Sequence, residues 1–239
     1  MPSIKKQRKR IFCFTYAGGT SAFFNQIELD LKGYELVKLE YAGHGVRHKE
    51  QVYDSFDSLA DDMFEQIRDN LDNDYALFGY SMGSISAVEV LKRIIDSGLN
   101  LPTHVFLAAH EPHTKSELLG YMDDEADEWV KKRTIEFGAV PEKLQNNKVF
   151  WRTYLPLYRA DYTIIGKYNF EKLGFSTTIP GTVFYSDTDT PRSEMEQWKR
   201  IFIGECELKR FEGNHFFIQQ HHDEMAEIIR QRMEMKNDI

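Results

Sequence analysis

The sequence is poor in cysteine and in long apolar runs, and it has no surplus of positive charge. Two cysteines, Cys13 and Cys206, in 239 residues make no disulfide framework, and neither stands in a metal-ligand spacing. A reducing, cytoplasmic setting is therefore expected. No Pro/Gly/Ser-rich stretch, low-complexity block or internal repeat interrupts the chain, so one domain over residues 1–239 is expected. No apolar stretch nears the roughly 20 residues that span a bilayer, so no membrane partner is expected. The basic run at residues 5–10 precedes only six residues, Ile-Phe-Cys-Phe-Thr-Tyr, before Gly18-Gly19. That is too short for a signal-peptide core, and the run reads as a solvated lead-in to a first strand rather than an anion-binding tail. Thirty Lys and Arg against 38 Asp and Glu leave a net charge of −8, which argues against a nucleic-acid partner.

What is present is an alternation of strand and helix patterns. At this length a chain buries roughly 70–75% of its unfolded surface, ample for a core. Short apolar runs predict strands at 11–16, 34–41, 75–80, 104–109, 182–185 and 207–211. Phe56, Leu59, Ala60, Met63, Phe64, Ile67 and Leu71 form one stripe of helical period, predicting a helix over 55–71. Further helices are predicted over 82–97, 193–203 and 216–235. Strands alternating with amphipathic helices imply an α/β fold: a mostly parallel central sheet covered by helices on both faces. Residues 111–173 break the rhythm. This stretch reads as helical and holds Trp129, Phe137, Phe150, Trp151, Tyr154, Tyr158, Tyr162 and Tyr168. It is expected to be a lid insertion over the C-terminal ends of the strands, where such sheets bind ligands.

The sharpest chemical signal is Gly79-Tyr80-Ser81-Met82-Gly83, placed between a predicted strand and a predicted helix. A chain that reverses there strains the middle residue, and glycines two positions either side remove Cβ atoms that would collide. Ser81 then projects above the sheet at a helix N-terminus, as a nucleophile requires. A serine hydroxyl needs a base in hydrogen-bond reach. Of the downstream histidines, His215 follows the last strand on a loop at the sheet's C-terminal edge. His221 and His222 fall inside the last helix, point in different directions, and read as a solvated face. His110 and His113 lack a zinc spacing, and no metal site is expected. His104 falls within a predicted strand.

The acid that orients the base should follow the penultimate strand, where Asp187 and Asp189 are both candidates. Asp189 lies farther into the loop, and Asp187 reads as a turn residue. An oxyanion hole would draw one amide from Met82 and a second from the loop Thr15-Tyr16-Ala17-Gly18-Gly19-Thr20, with Ala17 the candidate donor.

Together these residues resemble the stand-alone (type II) thioesterases of nonribosomal peptide and polyketide assembly lines, of the α/β-hydrolase superfamily. The resemblance runs from about Ile11 to Ile229. It rests on Phe14-Thr-Tyr-Ala-Gly-Gly-Thr20, Tyr41-Ala-Gly-His-Gly-Val-Arg47, Gly79-Tyr-Ser-Met-Gly83, Leu155-Pro-Leu-Tyr-Arg-Ala-Asp-Tyr162, Asp189 and Phe211-Glu-Gly-Asn-His-Phe-Phe217. The resemblance implies a Ser81/Asp189/His215 triad, oxyanion donors at Ala17 and Met82, and no cofactor. It implies hydrolysis of acyl groups from the phosphopantetheine arm of a carrier protein, by a monomer. The sequence departs from the family's pattern at Tyr80, where His is usual, and at Asn214, where Gly is usual. It departs again at Tyr41-Ala42, near a usual Pro, and at His44, where Arg is usual. Arg159 and Asp161 lie two apart on one helix, so they read as lid contacts. Lys131, Lys132, Arg133 and Arg152 are candidates for meeting an acidic carrier, with solvated helix faces the plainer reading. A carboxylesterase of small free esters would carry the same triad, and a ligand receptor on this fold would lack turnover.

Overall fold

The computed structural model describes residues 8–72, 74–112 and 126–235. In chain order the elements are β1 (Arg10–Phe14), α1 (Asn25–Asp30), β2 (Glu35–Lys38), α2 (Phe56–Ile67), β3 (Tyr75–Tyr80), α3 (Met82–Asp96) and β4 (His104–Ala108). Then come α4 (Ala126–Glu136), α5 (Glu142–Gln145), α6 (Lys148–Lys167), β5 (Gly181–Tyr185), α7 (Arg192–Met195), β6 (Cys206–Arg210) and α8 (Ile218–Glu234). The six strands pair in the order β2-β1-β3-β4-β5-β6, and every pairing among the described residues is parallel.

Parallel strands buried on both faces read as unbroken apolar runs, and their period of two divides them between two cores. Phe12, Phe14, Tyr75, Leu77, Val105, Leu107, Val183 and Tyr185 point to one side, against the buried stripes of α2 and α3 and against α6. Ile11, Cys13, Ala76, Phe78, Tyr80, Phe106, Ala108 and Phe184 point to the other, against α1 and α8. The stripe in α2 buries Phe56, Leu59, Ala60, Met63 and Ile67, and Ser55 caps it by accepting the Ser58 N–H at 3.2 Å.

The central strands and long helices follow the expected pattern, with ends moved by a few residues. Two places differ. Six-residue α1 is too short to show periodicity and was not anticipated. The helix expected over 193–203 is instead one turn, α7, running into a 3-10 segment at Glu196–Arg200. The described part of the interval between β4 and β5, from Ala126 on, is mostly helical as expected: α4 packs on α6, and the Asn147 side chain caps α6 by accepting the Val149 and Phe150 amides at 2.9 and 3.0 Å. None of the described helices is long and apolar enough to cross a membrane.

Candidate active site

Ser81 sits between β3 and α3 with φ 55° and ψ −122°, a conformation unfavourable for a residue with a side chain. The flanking glycines make it attainable. A Cβ on Gly79 would stand 2.2 Å from the Gly83 carbonyl oxygen, and one on Gly83 would stand 2.0 Å from the carbonyl oxygen of Phe14 in β1. Both obstacles are backbone, so neither glycine has room for a substitute. The Ser81 amide donates to the Ala108 carbonyl at 2.7 Å, fixing the turn to the end of β4.

The three residues singled out from sequence come together as one relay. His215 Nε2 lies 2.9 Å from Ser81 Oγ, and His215 Nδ1 lies 2.9 and 3.0 Å from the two Asp189 carboxylate oxygens. A carboxylate only accepts, so Nδ1 carries the proton and Nε2 is left to accept from the serine. Ser81 and His215 are only 9% and 8% exposed, which keeps the relay largely out of bulk water while leaving an edge to reach.

The two aspartates of one loop are separated by direction. Asp189 turns inward to His215, whereas Asp187 turns outward and pairs with Arg210 at 2.6 Å. Asp187, expected as a turn residue, makes this ion pair from the loop. Ser186 Oγ donates to the Gly213 carbonyl at 2.5 Å, and Thr188 reaches the same oxygen, tying the Asp loop to the His loop. The Tyr80 hydroxyl, beside Ser81 in the chain, donates to the His215 carbonyl at 2.8 Å. Tyr80 is fully buried, and burial pushes its phenol well above the ordinary range, so it remains a donor.

The loop after β1 uses its amides selectively. Gly18 N–H donates to Asp161 Oδ2 at 2.6 Å and Gly19 N–H to the Tyr16 carbonyl at 3.0 Å. Among the described residues the Ala17 amide has no such acceptor. Met82 opens α3, where an amide has no partner within the helix. The insertion closes over this ground. The Phe137 ring lies 4.5 Å from the His215 ring, with the Arg133 guanidinium 4.2 Å above Phe137. Tyr158 packs against Gly18 so tightly that a Cβ there would fall 2.1 Å from its ring.

Asp161, read from sequence as a lid contact, makes a specific one. Its Oδ2 also lies 3.0 Å from His44 Nε2, and both side chains are almost completely buried. Arg159 instead pairs with Asp127 of α4 at 3.0 Å, on the surface. Arg47, the end of the Gly-x-Gly-x-Arg run, holds the loop after β2 through the Glu40 carbonyl, Glu50 and Asp62.

The remaining candidates lie elsewhere. Burial pushes His104 down to about 3, so it is a neutral donor or acceptor to Thr182 at 2.8 Å. His222 pairs with Asp30 at 2.6 Å, and His221 lies 3.0 Å from the Glu212 carbonyl. They do point apart, but they tether α8 to α1 and to the His loop rather than forming a solvated face. His110 Nδ1 lies 2.6 Å from the Glu111 carbonyl, and His113 lies outside the described residues. Of the four basic candidates, Lys131, Lys132 and Arg133 face carboxylates of their own helix at 2.5, 3.8 and 4.0 Å, whereas exposed Arg152 has no ion pair with a described residue.

Residues 9–233 match the thioesterase domain family. The chain belongs to the thioesterase family. The enzyme is 28% identical to the probable anguibactin biosynthesis thioesterase AngT of Vibrio anguillarum, over 92% of this chain and 89% of that one. Among solved structures it superposes on the RedJ thioesterase from the prodiginine pathway of Streptomyces coelicolor with a TM-score of 0.83 and 25% identity, covering 93% and 85% of the two chains. It shares the fold of ClbQ from the colibactin pathway, with a TM-score of 0.85 at 24% identity over 95% and 98% of the chains. The fold of this thioesterase is accordingly that of an α/β hydrolase. Sequence reasoning passed over three residues of its site. Tyr80 and His44 stood out only as departures from the family's pattern, and Phe137 only as one aromatic among many. Their roles depend on contacts 78 to 135 positions away along the chain, which no local pattern carries.

Proposed function

We propose that this thioesterase hydrolyses acyl groups from the phosphopantetheine arm of carrier proteins, as an editing enzyme of a natural-product assembly line. The observation that carries the reading is the unbroken Ser81–His215–Asp189 relay in a chain of this family. In the proposed reaction His215 Nε2 takes the proton as Ser81 Oγ attacks the thioester carbonyl, and Asp189 steadies the imidazolium. The Ala17 and Met82 amides receive the oxyanion, a task supported by the Ala17 amide's lack of another acceptor. The arm's thiol leaves with the proton held by His215. Water, activated by the same imidazole, then releases the acid from the acyl-serine. Residues 111–173 act as a lid within one α/β-hydrolase domain, a reading supported by Phe137 lying over His215.

The test is hydrolysis of an acetyl group from a holo carrier protein, read by intact-protein mass spectrometry, with the matching oxygen ester alongside. Wild type is expected to remove the acetyl group far faster than it cleaves the ester. Ser81→Ala is expected to retain less than about 10⁻³ of that rate. Ester cleavage with an untouched carrier would make the protein a carboxylesterase, and turnover of neither would sink the hydrolytic reading.

A further inference from the structure

Three segments converge on a single buried oxygen. Asp161 Oδ2, on α6 of the insertion, accepts the Gly18 amide of the loop after β1 at 2.6 Å and faces His44 Nε2, of the loop after β2, at 3.0 Å. His44 Nδ1 lies 3.0 Å from the Ala42 carbonyl oxygen. Both ring nitrogens thus face acceptors, which the doubly protonated imidazolium alone satisfies while Asp161 is ionised. Asp161 is 2% and His44 1% exposed, so neither charge is stable there without the other.

We propose that the Asp161–His44 ion pair is a positioning device for the oxyanion loop: it fixes the Gly18 amide, so that the adjoining Ala17 amide is aimed at the reacting carbonyl only while the insertion helix is docked. The proposal rests on the reading of Ala17 as an oxyanion donor. Because Asp161 belongs to α6, closing the insertion and assembling the donor site become one event. Tyr158, one turn earlier on α6, presses on the same Gly18 from the side.

The device titrates. Burial alone lowers the His44 pKa, but the charge and hydrogen bond of Asp161, the Ala42 carbonyl and the charge of Glu40 outweigh it and hold the imidazole above its ordinary range. The charged groups facing His44 are Asp161 from α6 and Glu40 just past β2, and Tyr41 lays its ring edge-on at 5.9 Å. The Glu40 carboxylate is itself occupied by the Ser21 amide and hydroxyl at 3.0 and 2.8 Å, so it contributes field and no bond to the ring. Loss of one His44 proton leaves the ring neutral, with a lone pair facing the Ala42 carbonyl, and strips the buried Asp161 carboxylate of its balancing charge, so the anchor of the loop after β1 weakens on the alkaline side.

The experiment compares wild type, Asp161→Asn, His44→Gln and His44→Arg on the small thioester acetyl-N-acetylcysteamine, with kcat and KM followed from acid to alkaline pH. Hydrogen exchange over residues 15–20 is followed in parallel. Asp161→Asn and His44→Gln are expected to lose roughly 10- to 100-fold in kcat with KM changed by less than about threefold, and to exchange faster over that loop. Wild-type kcat should fall at alkaline pH. His44→Arg, whose guanidinium does not titrate, should lose that alkaline limb. Unchanged kcat and exchange in Asp161→Asn, or an alkaline limb that persists in His44→Arg, overturns the proposal. If Asp161→Asn does not fold, the pH profile of His44→Arg decides. A wild type inert toward both this thioester and the acetyl carrier protein, whose loop protection, corrected for the intrinsic base-catalysed rise in exchange, is still lost at alkaline pH, would sink the hydrolytic reading and leave the Asp161–His44 anchoring of the loop standing.

Discussion

Removing one oxygen atom from Tyr80 tests how the site is held. Its hydroxyl spans from β3 to the His215 carbonyl at 2.8 Å and also lies 3.4 Å from the Ile218 amide, so it fastens the His loop to the strand that carries Ser81. Tyr80→Phe keeps the ring's packing against Phe216 and Phe217 and leaves a buried carbonyl short of a donor. The expected cost is about 1–2 kcal/mol in urea unfolding. Turnover on a small thioester should fall by about tenfold at unchanged KM, because His215 is displaced rather than lost. The sequence made Ser81 and His215 legible through motif and chain order, since the strand–turn–helix junction is local. On residues alone Asp189 is favoured over Asp187 only by its depth in the loop. They share one loop, and only the fold turned one toward His215 and the other toward Arg210.

Among the elements, α6 carries the heaviest set of tasks. It supplies Trp151, Tyr158, Tyr162, Ile164 and Ile165 to the core and Asp161 to the Gly18 amide of the loop after β1, although Pro156 interrupts its backbone bonding. Its first turn depends on the Asn147 side chain, which takes up the Val149 and Phe150 amides. Asn147→Ala is therefore expected to cost about 1 kcal/mol, measured as a shift of the urea midpoint, whereas Thr153→Ala on the exposed face should shift it by less than about 0.5 kcal/mol. The long helices α2, α3 and α8 were legible in the sequence, and α4 and α6 only as one helical interval. The two-turn α1 was not legible and the one-turn α7 read as too long, because a stripe needs repetition before it can be seen.

Across the whole molecule, two buried histidines set opposite limits on stability. His104, between β4 and β5, is pushed down to about 3 by burial, so between its ordinary range and pH 3 the unfolded chain binds a proton that the native protein refuses. Stability should fall as pH drops through that window, by roughly 2 kcal/mol from this residue at pH 5. His104→Gln should be visibly less acid-sensitive when urea midpoints at pH 5 and 7 are compared. His44 works the other way. Its raised pKa contributes stability at lower pH that is lost as pH rises through the folded value. The sequence by itself determined the alternating parallel architecture, the strained serine between two glycines and the order of the relay, because each is written in local periodicity or in chain order. Only the tertiary structure decided which aspartate faces His215, that Tyr80 bolts the His loop, and that Asp161 meets His44 and Gly18 at one oxygen. Those are contacts between residues 26 to 143 positions apart, and the sheet and the insertion had to be assembled before any of them could exist.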